Sequence, residues 1–97
     1  MKKIKPLSET QVRNAKPGSK DKNLFDGGGL YLLVKTNGSK GWRFKYRFEG
    51  KSKLISMGSY PEVGLKEARE KREEARKLIA SGVDPQEYRK GSKLSAE

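Results

Sequence analysis

Residues 41 to 51, Gly-Trp-Arg-Phe-Lys-Tyr-Arg-Phe-Glu-Gly-Lys, set Trp42, Phe44, Tyr46 and Phe48 against Arg43, Lys45 and Arg47 in strict alternation. Successive side chains of a strand point to opposite faces, so this period predicts a strand from about Lys40 to Glu49 with one oily and one cationic face. The oily face has to be covered. From Leu65 to Ser81 the apolar residues Leu65, Ala68, Ala75, Leu78 and Ile79 recur at helical spacing, interrupted by Arg72, which predicts an amphipathic helix. The small Ala68 and Ala75 let large rings approach it closely. No second helix is available for the cationic face, which stays open.

The remaining elements follow from local signals. Ser8 and Gln11 have the spacing of a capping box, with Leu7 and Val12 at the positions of a hydrophobic staple, and predict a short helix from Glu9 to about Ala15. Lys16-Pro17-Gly18 stops it, and Ser19 to Asp26 is expected to be a polar loop anchored by Leu24 and Phe25. Leu30, Leu32 and Val34 alternate with Tyr31, Leu33 and Lys35 as a first strand, and Thr36 to Ser39 is a turn. After the central strand, Gly50-Lys51 leads to a third strand ending near Met57, with Ile55 and Met57 inward and Ser52, Leu54 and Ser56 outward. Gly58 to Pro61 breaks the sheet, Gly82 caps the long helix, and Asp84-Pro85 prevents its continuation. The expected fold is α+β, a three-stranded antiparallel sheet packed on one C-terminal α-helix, with a short N-terminal helix. Residues 1–85 form the domain and residues 86–97 a polar linker.

Charge narrows the function. With 23 Lys and Arg against 12 Asp and Glu, the net charge is +11, a field that attracts polyanions. Residues 30 to 57 hold seven basic groups against Glu49 alone, whereas residues 65 to 80 hold six against four. The excess lies on the strands, which favours nucleic acid over a membrane surface, since membrane surfaces are bound by amphipathic helices with a wide apolar face. A chain of 97 residues hides roughly 60–70% of its unfolded surface, enough for a small core but not for a deep cleft. Cys and His are both absent, which removes disulfides, thiolate metal sites and the commonest general base. No catalytic residue, metal site, cofactor or small-molecule substrate is expected. No apolar run approaches the ~20 residues that cross a bilayer, and Met1 to Pro6 has charge without the following apolar stretch of a signal peptide, so the expected compartment is the cytoplasm.

The open face supplies the candidate contacts. Arg43, Lys45 and Arg47 can reach guanine O6 and N7 in a DNA major groove, and Lys35 and Lys40 at the edge suit phosphates. Tyr31 and Leu33 flank them on one side and Ser52, Leu54 and Ser56 on the other; the apolar Leu33 and Leu54 fit a partner such as a thymine methyl. The basic N-terminus, Lys2, Lys3 and Lys5, offers further phosphate contacts. An ordinary solvated sheet face is the competing explanation, and the absence of any interleaved carboxylate before Glu49 weighs against it.

Two other patterns fail on inspection. The segment Lys40 to Arg47 approaches an RNA-recognition signature, but Arg43 stands where that motif has a small residue and Arg47 where it has an aromatic. Gly50-Lys51-Ser52 looks like the end of a phosphate loop, but Lys45 occupies the place of its first glycine, and hairpin geometry accounts for this turn and for Gly27-Gly28-Gly29. Glu67 and Glu70 stand four residues before Lys71 and Glu74, a mixed solvated surface and not a carboxylate pair.

Four stretches together carry a family likeness: Leu7 to Gly18, Asp26 to Val34, Gly38 to Lys51 and Met57 to Pro85. They resemble, in order and without large gaps, the N-terminal arm-type DNA-binding domain of phage and genomic-island integrases, which are tyrosine recombinases. The carrying motifs are Gly29-Leu30-Tyr31-Leu32-Leu33-Val34, Trp42 with Tyr46, and Met57-Gly58-Ser59-Tyr60-Pro61. Gly64 departs from the family, which usually has Ser there, and so does Met57 in place of Leu. The resemblance implies sequence-specific binding of double-stranded DNA at arm-type sites during integration and excision, with other integrase protomers as partners. It also implies that cleavage and rejoining belong to a downstream domain beyond the polar linker, so that Tyr31, Tyr46, Tyr60 and Tyr88 are not nucleophiles. RNA or single-strand binding, and a protein-interaction module, are the alternatives.

Overall fold

The aromatic and cationic residues of positions 42 to 48 do divide across one strand, which lies inside a four-stranded antiparallel sheet. A computed structural model describes residues 5–89. Along the chain run α1 (Glu9–Asn14), β1 (Lys22–Gly27), β2 (Leu30–Val34), β3 (Lys40–Phe48), β4 (Lys51–Tyr60) and α2 (Leu65–Ala80). The sheet order is β1-β2-β3-β4, so β3 is paired on both sides. Trp42, Phe44 and Tyr46 are buried with Leu30, Leu32 and Val34 of β2, Ile55 and Met57 of β4, and Leu65, Ala68 and Ala75 of α2. Trp42 is fully buried, and its indole Nε1–H donates to the Val63 carbonyl at 2.7 Å.

The expected three strands are four, because Lys22–Gly27 is a strand and not a polar loop. Its pattern is obscured by composition: of its inward positions only Leu24 is apolar, and the buried Asp26 is an extra residue in a bulge, where the pairing jumps from Phe25↔Tyr31 to Gly27↔Leu30. Gly28 and Gly29 then form a two-residue hairpin turn with φ of +63° and +93°, values that a type I′ turn needs at both central positions. Gly29 also packs on the backbone of β3. Its carbonyl accepts the Lys45 N–H at 2.8 Å, and a Cβ there would meet the Lys45 carbonyl oxygen at 2.3 Å.

The last strand likewise runs beyond its expected end near Met57. A bulge shifts the register from Arg43↔Ser56 to Trp42↔Gly58, and pairing continues to Lys40↔Tyr60. Gly58, at φ +105°, absorbs this irregularity and leaves room for Val63, whose Cγ2 would lie 2.5 Å from a Cβ. The connection between β3 and β4 is Glu49-Gly50, one residue earlier than expected, with Phe48 paired to Lys51.

At the N-terminus the capping box forms as expected. The Ser8 hydroxyl accepts the Gln11 N–H, the Gln11 side chain accepts the Ser8 N–H, and Leu7 and Val12 are buried. The helix α2 starts at Gly64 without a side-chain cap and ends before Gly82, which has φ +81°. Its stripe is interrupted by Arg72 for a reason visible only in three dimensions. Asp26, with 1% of its side chain exposed, accepts hydrogen bonds from Arg69 at 2.8 and 3.0 Å, from Arg72 at 3.0 Å and from the Leu7 N–H at 2.8 Å. Arg69 also donates to the Leu7 carbonyl and Arg72 to the Gly27 carbonyl. Burial pushes the Asp26 carboxyl up, but these hydrogen bonds and the two guanidinium charges outweigh it and hold the group below its ordinary value.

A second carboxylate ties down the chain after α2. Burial raises Asp84, yet its bonds with Lys53, Tyr46 and the Gln86 N–H bring it below its ordinary value. The Tyr46 hydroxyl donates to Asp84 at 2.5 Å, and burial together with that bond pushes Tyr46 up to about 12. Residues 85–89 form a helical turn, and Arg89 donates to the Ser56 carbonyl of β4 at 2.8 Å. The remainder of the expected linker, residues 90–97, and the N-terminal Lys2 and Lys3 lie outside the described residues.

Replacing Trp42 by Ala removes the largest buried side chain and should cost about 3–5 kcal/mol, measured as a collapse of the thermal unfolding transition. Because Asp26 and Asp84 titrate lower in the folded than in the unfolded chain, their stabilisation is present above the unfolded values and disappears as pH falls through the folded ones. Stability should therefore be level from about pH 5 to about pH 9 and drop below about pH 4. Asp26→Asn should begin roughly 2–3 kcal/mol less stable and show a shallower acid limb; this is less than for a fully buried pair because the Arg69 side chain is 36% exposed.

Candidate nucleic-acid interface

The face of the sheet away from α2 is ordered in cross-strand rows. Phe25, Tyr31, Arg43 and Ser56 are in register from β1 to β4. The row above holds Asn23, Leu33, Gly41 and Ser59, and below lie Lys45 opposite Leu54 and Arg47 opposite Ser52. Tyr31, Leu33, Arg43, Lys45, Arg47, Ser52, Leu54 and Ser56, eight of the ten residues expected at the site, are thus brought to one surface. None of these positions is a carboxylate.

Arg43, Lys45 and Arg47 have no ion-pair partner among the described residues, in contrast to Arg69, Arg72 and Lys53. Arg43 lies back along its own strand: its Nη1 donates to the Trp42 carbonyl at 3.1 Å and sits 2.9 Å from where a Cβ of Gly41 would be. The missing side chain of Gly41 is what lets the guanidinium lie flat over the sheet. Arg47 donates to the Gly50 carbonyl at 3.3 Å, which bends it toward the β3–β4 turn. Lys45 and Arg47 are exposed and Arg43 is half-buried. Arg43 and Arg47 thus bond backbone and hydroxyl oxygens, and among the described residues no carboxylate pairs with any of the three cations.

Two expected edge contacts behave differently from each other. Lys35 is exposed just beyond the end of β2, at the base of the turn to β3, where its N–H donates to the Ser39 carbonyl and its carbonyl accepts the Gly38 N–H, both at 2.9 Å. Lys40 is not on this face. Its parity is that of Trp42, and its ammonium donates to the carbonyls of Val12 and Arg13 at 2.9 and 3.0 Å, with the Tyr60 ring 5.4 Å away. It satisfies carbonyls left open at the C-terminal end of α1, where a cation is favoured.

Two residues on the outward face were hidden in the stretch read as a loop. Asn23 is exposed opposite Leu33, and Phe25 is 50% exposed with its ring centroid 5.4 Å from that of Tyr31. The alternation Asn23-Leu24-Phe25 is their only sequence signal. The opposite side of the molecule is electrostatically mixed: Lys66, Glu67, Glu70, Lys71 and Glu74 line a shallow groove along α2.

A family model described as an arm DNA-binding domain matches residues 7–92. The chain belongs to this family. Among relatives of this arm DNA-binding domain, prophage integrase IntA of Escherichia coli is 44% identical over 91 residues, covering 92% of this chain and 22% of that protein. The integrase of Shigella phage Sf6 is 44% identical over 86 residues, 89% of this chain and 22% of that protein. Prophage integrase IntZ of Escherichia coli is 42% identical over 90 residues, with 91% and 22% covered. The chain thus spans about a fifth of the length of these curated relatives. It is a DNA-binding domain of the kind found in phage and prophage integrases.

The position of Lys40 generates its own test. Lys40→Ala should lower stability by about 1–2 kcal/mol, the worth of a charged donor on helix-end carbonyls. Thermal unfolding measures this, and Lys45→Ala, exposed and unpaired, serves as a control that should leave the midpoint in place.

Proposed function

We propose that this domain binds duplex DNA through the outward face of its sheet, with β3 lying along the major groove. The observation that carries this reading is the line Arg43, Lys45 and Arg47, unpaired with any carboxylate among the described residues, on the one sheet face that α2 leaves open. Alternate residues of a strand are about 6.8 Å apart, close to two nucleotide steps of roughly 3.4 Å, so successive cations can address successive bases or phosphates. Ser52 and Ser56 add hydroxyls on one side, Tyr31 and Leu33 a less polar surface on the other, and Lys35 reaches toward the backbone.

In the intact protein we assign this unit to arm-type sites flanking the attachment site, recognised during integration and excision. Residues 1–85 serve as the DNA-binding unit, and the segment from 86 to 97 leads toward a downstream tyrosine-recombinase domain that cleaves and rejoins. The relatives named as integrases, each about five times as long as the matched region, support that arrangement. Other integrase protomers are the partners in such an assembly, the domain itself carries no chemistry, and its place of action is the cytoplasm. Among the described residues no helix is long and apolar enough to cross a membrane.

Fluorescence anisotropy of a labelled duplex, titrated across a salt series, tests the assignment. A variant with Arg43, Lys45 and Arg47 all replaced by Ala should bind roughly tenfold or more weakly, and the removal of each phosphate interaction should flatten the slope of log K against log salt by ~0.9. Equal affinity and slope for both proteins would show that the sheet is not the reader. A module for protein contacts would show no salt-dependent binding at all.

A further inference from the structure

Phe25 is left half outside the fold, at 50% exposure, and it is absent from the core, where β1 is represented by Leu24. It stands on the outward face in one row with Tyr31, Arg43 and Ser56. The Phe25 and Tyr31 rings meet at a centroid distance of 5.4 Å and an interplanar angle of 47°. The aromatic pair therefore lies beside Arg43 on the same open surface, Tyr31 on the adjacent strand and Phe25 one strand further, and charge complementarity already points that surface at DNA.

We infer that Phe25, backed by Tyr31, seats a thymine methyl group in the major groove and makes the domain select thymine at one position of its DNA site. The inference rests on the sheet-face reading above. Along the floor of the major groove the thymine C5-methyl is the one apolar group that base edges display, and Phe is among the side chains that contact it. Neighbouring strands are about 4.8 Å apart, so Phe25 and Arg43 are separated by roughly 10 Å, within the ~12 Å width of the groove. With β3 along the groove, the row crosses it, and the methyl contact and the Arg43 contact fall toward opposite walls. The two rings occupy one another, which favours a methyl-sized contact over the open ring faces on which unpaired bases stack.

The test is selection from a randomised duplex pool by the wild-type domain, by Phe25→Ala and by Phe25→Leu. Anisotropy then follows on the wild-type-selected duplex, with each enriched thymine replaced in turn by deoxyuridine, which lacks only the methyl group. The wild type should enrich thymine at a position where Phe25→Ala does not, while the other selected positions and the salt slope stay unchanged. Phe25→Leu should keep part of that preference. Deoxyuridine at that position should weaken the wild type about fourfold, the worth of one buried methyl, and leave Phe25→Ala unaffected. Identical selections by wild type and Phe25→Ala, or indifference of the wild type to deoxyuridine, would overturn the inference and leave the sheet-face reading intact. So would equal binding of the single strand of the selected sequence, abolished in Phe25→Ala, which would make the ring a stacking platform. If the wild type selects no sequence and the Arg43, Lys45 and Arg47 triple variant binds as it does, the sheet-face reading falls and this inference with it.

Discussion

A single buried carboxylate holds the layers in place. Asp26 joins the entry to α1, through the Leu7 N–H, to α2, through Arg69 and Arg72, and it does so from a bulge at the end of β1. Such a group is expensive to bury and is tolerated only when its lone pairs are filled and its charge is met. Here both conditions hold, with two guanidiniums and one amide aimed at one carboxyl. The geometry leaves little freedom: α2 cannot slide along the sheet without unpairing Arg69 or Arg72, and β1 cannot peel away without exposing the charge. Among the described residues no buried side-chain nitrogen or oxygen lacks a hydrogen-bond partner.

With the layers fixed, the division of labour within β3 follows. The rings of Trp42, Phe44 and Tyr46 bind the sheet to the helix, and Arg43, Lys45 and Arg47 are forced to the other side by the pleat alone. Two groups of basic residues stand apart. Lys40, Lys53, Arg69, Arg72 and Arg89 are spent inside the fold, on carbonyls or on Asp26 and Asp84. Among the described residues, Arg43, Lys45 and Arg47 on the outward strand face are left without carboxylate partners, so their charge stays available where the sheet is open.

What could be read from the sequence was what local periodicity or local capping encodes. The capping box at Ser8 and Gln11, the alternation of β2 and β3 and the stripe of α2 all depend on residues a few positions apart. The elements that escaped depend on distant partners. β1 is hidden because its inward positions include Asp26, whose burial makes sense only beside Arg69 and Arg72, forty-odd residues away. The outward places of Asn23 and Phe25 are hidden along with it. The end of β4 is misplaced because Gly58, a breaker by composition, serves as a bulge that makes room for Val63. Lys40 carries the same charge as its neighbours on β3, and only the position of α1 removes it from the open face.

The Asp84 cluster has a mechanical side. The chain that follows α2 does not leave from the helix end alone; it is fastened by Tyr46 to β3 and by Lys53 and Arg89 to β4. Tension applied to that segment would be delivered across hydrogen bonds to two paired strands, which share the load between them, instead of unwinding the last turn of α2 residue by residue. The sheet thus acts as the anchor plate for anything the segment pulls on, and the strand that holds the three cations is one of the two that bear the strain.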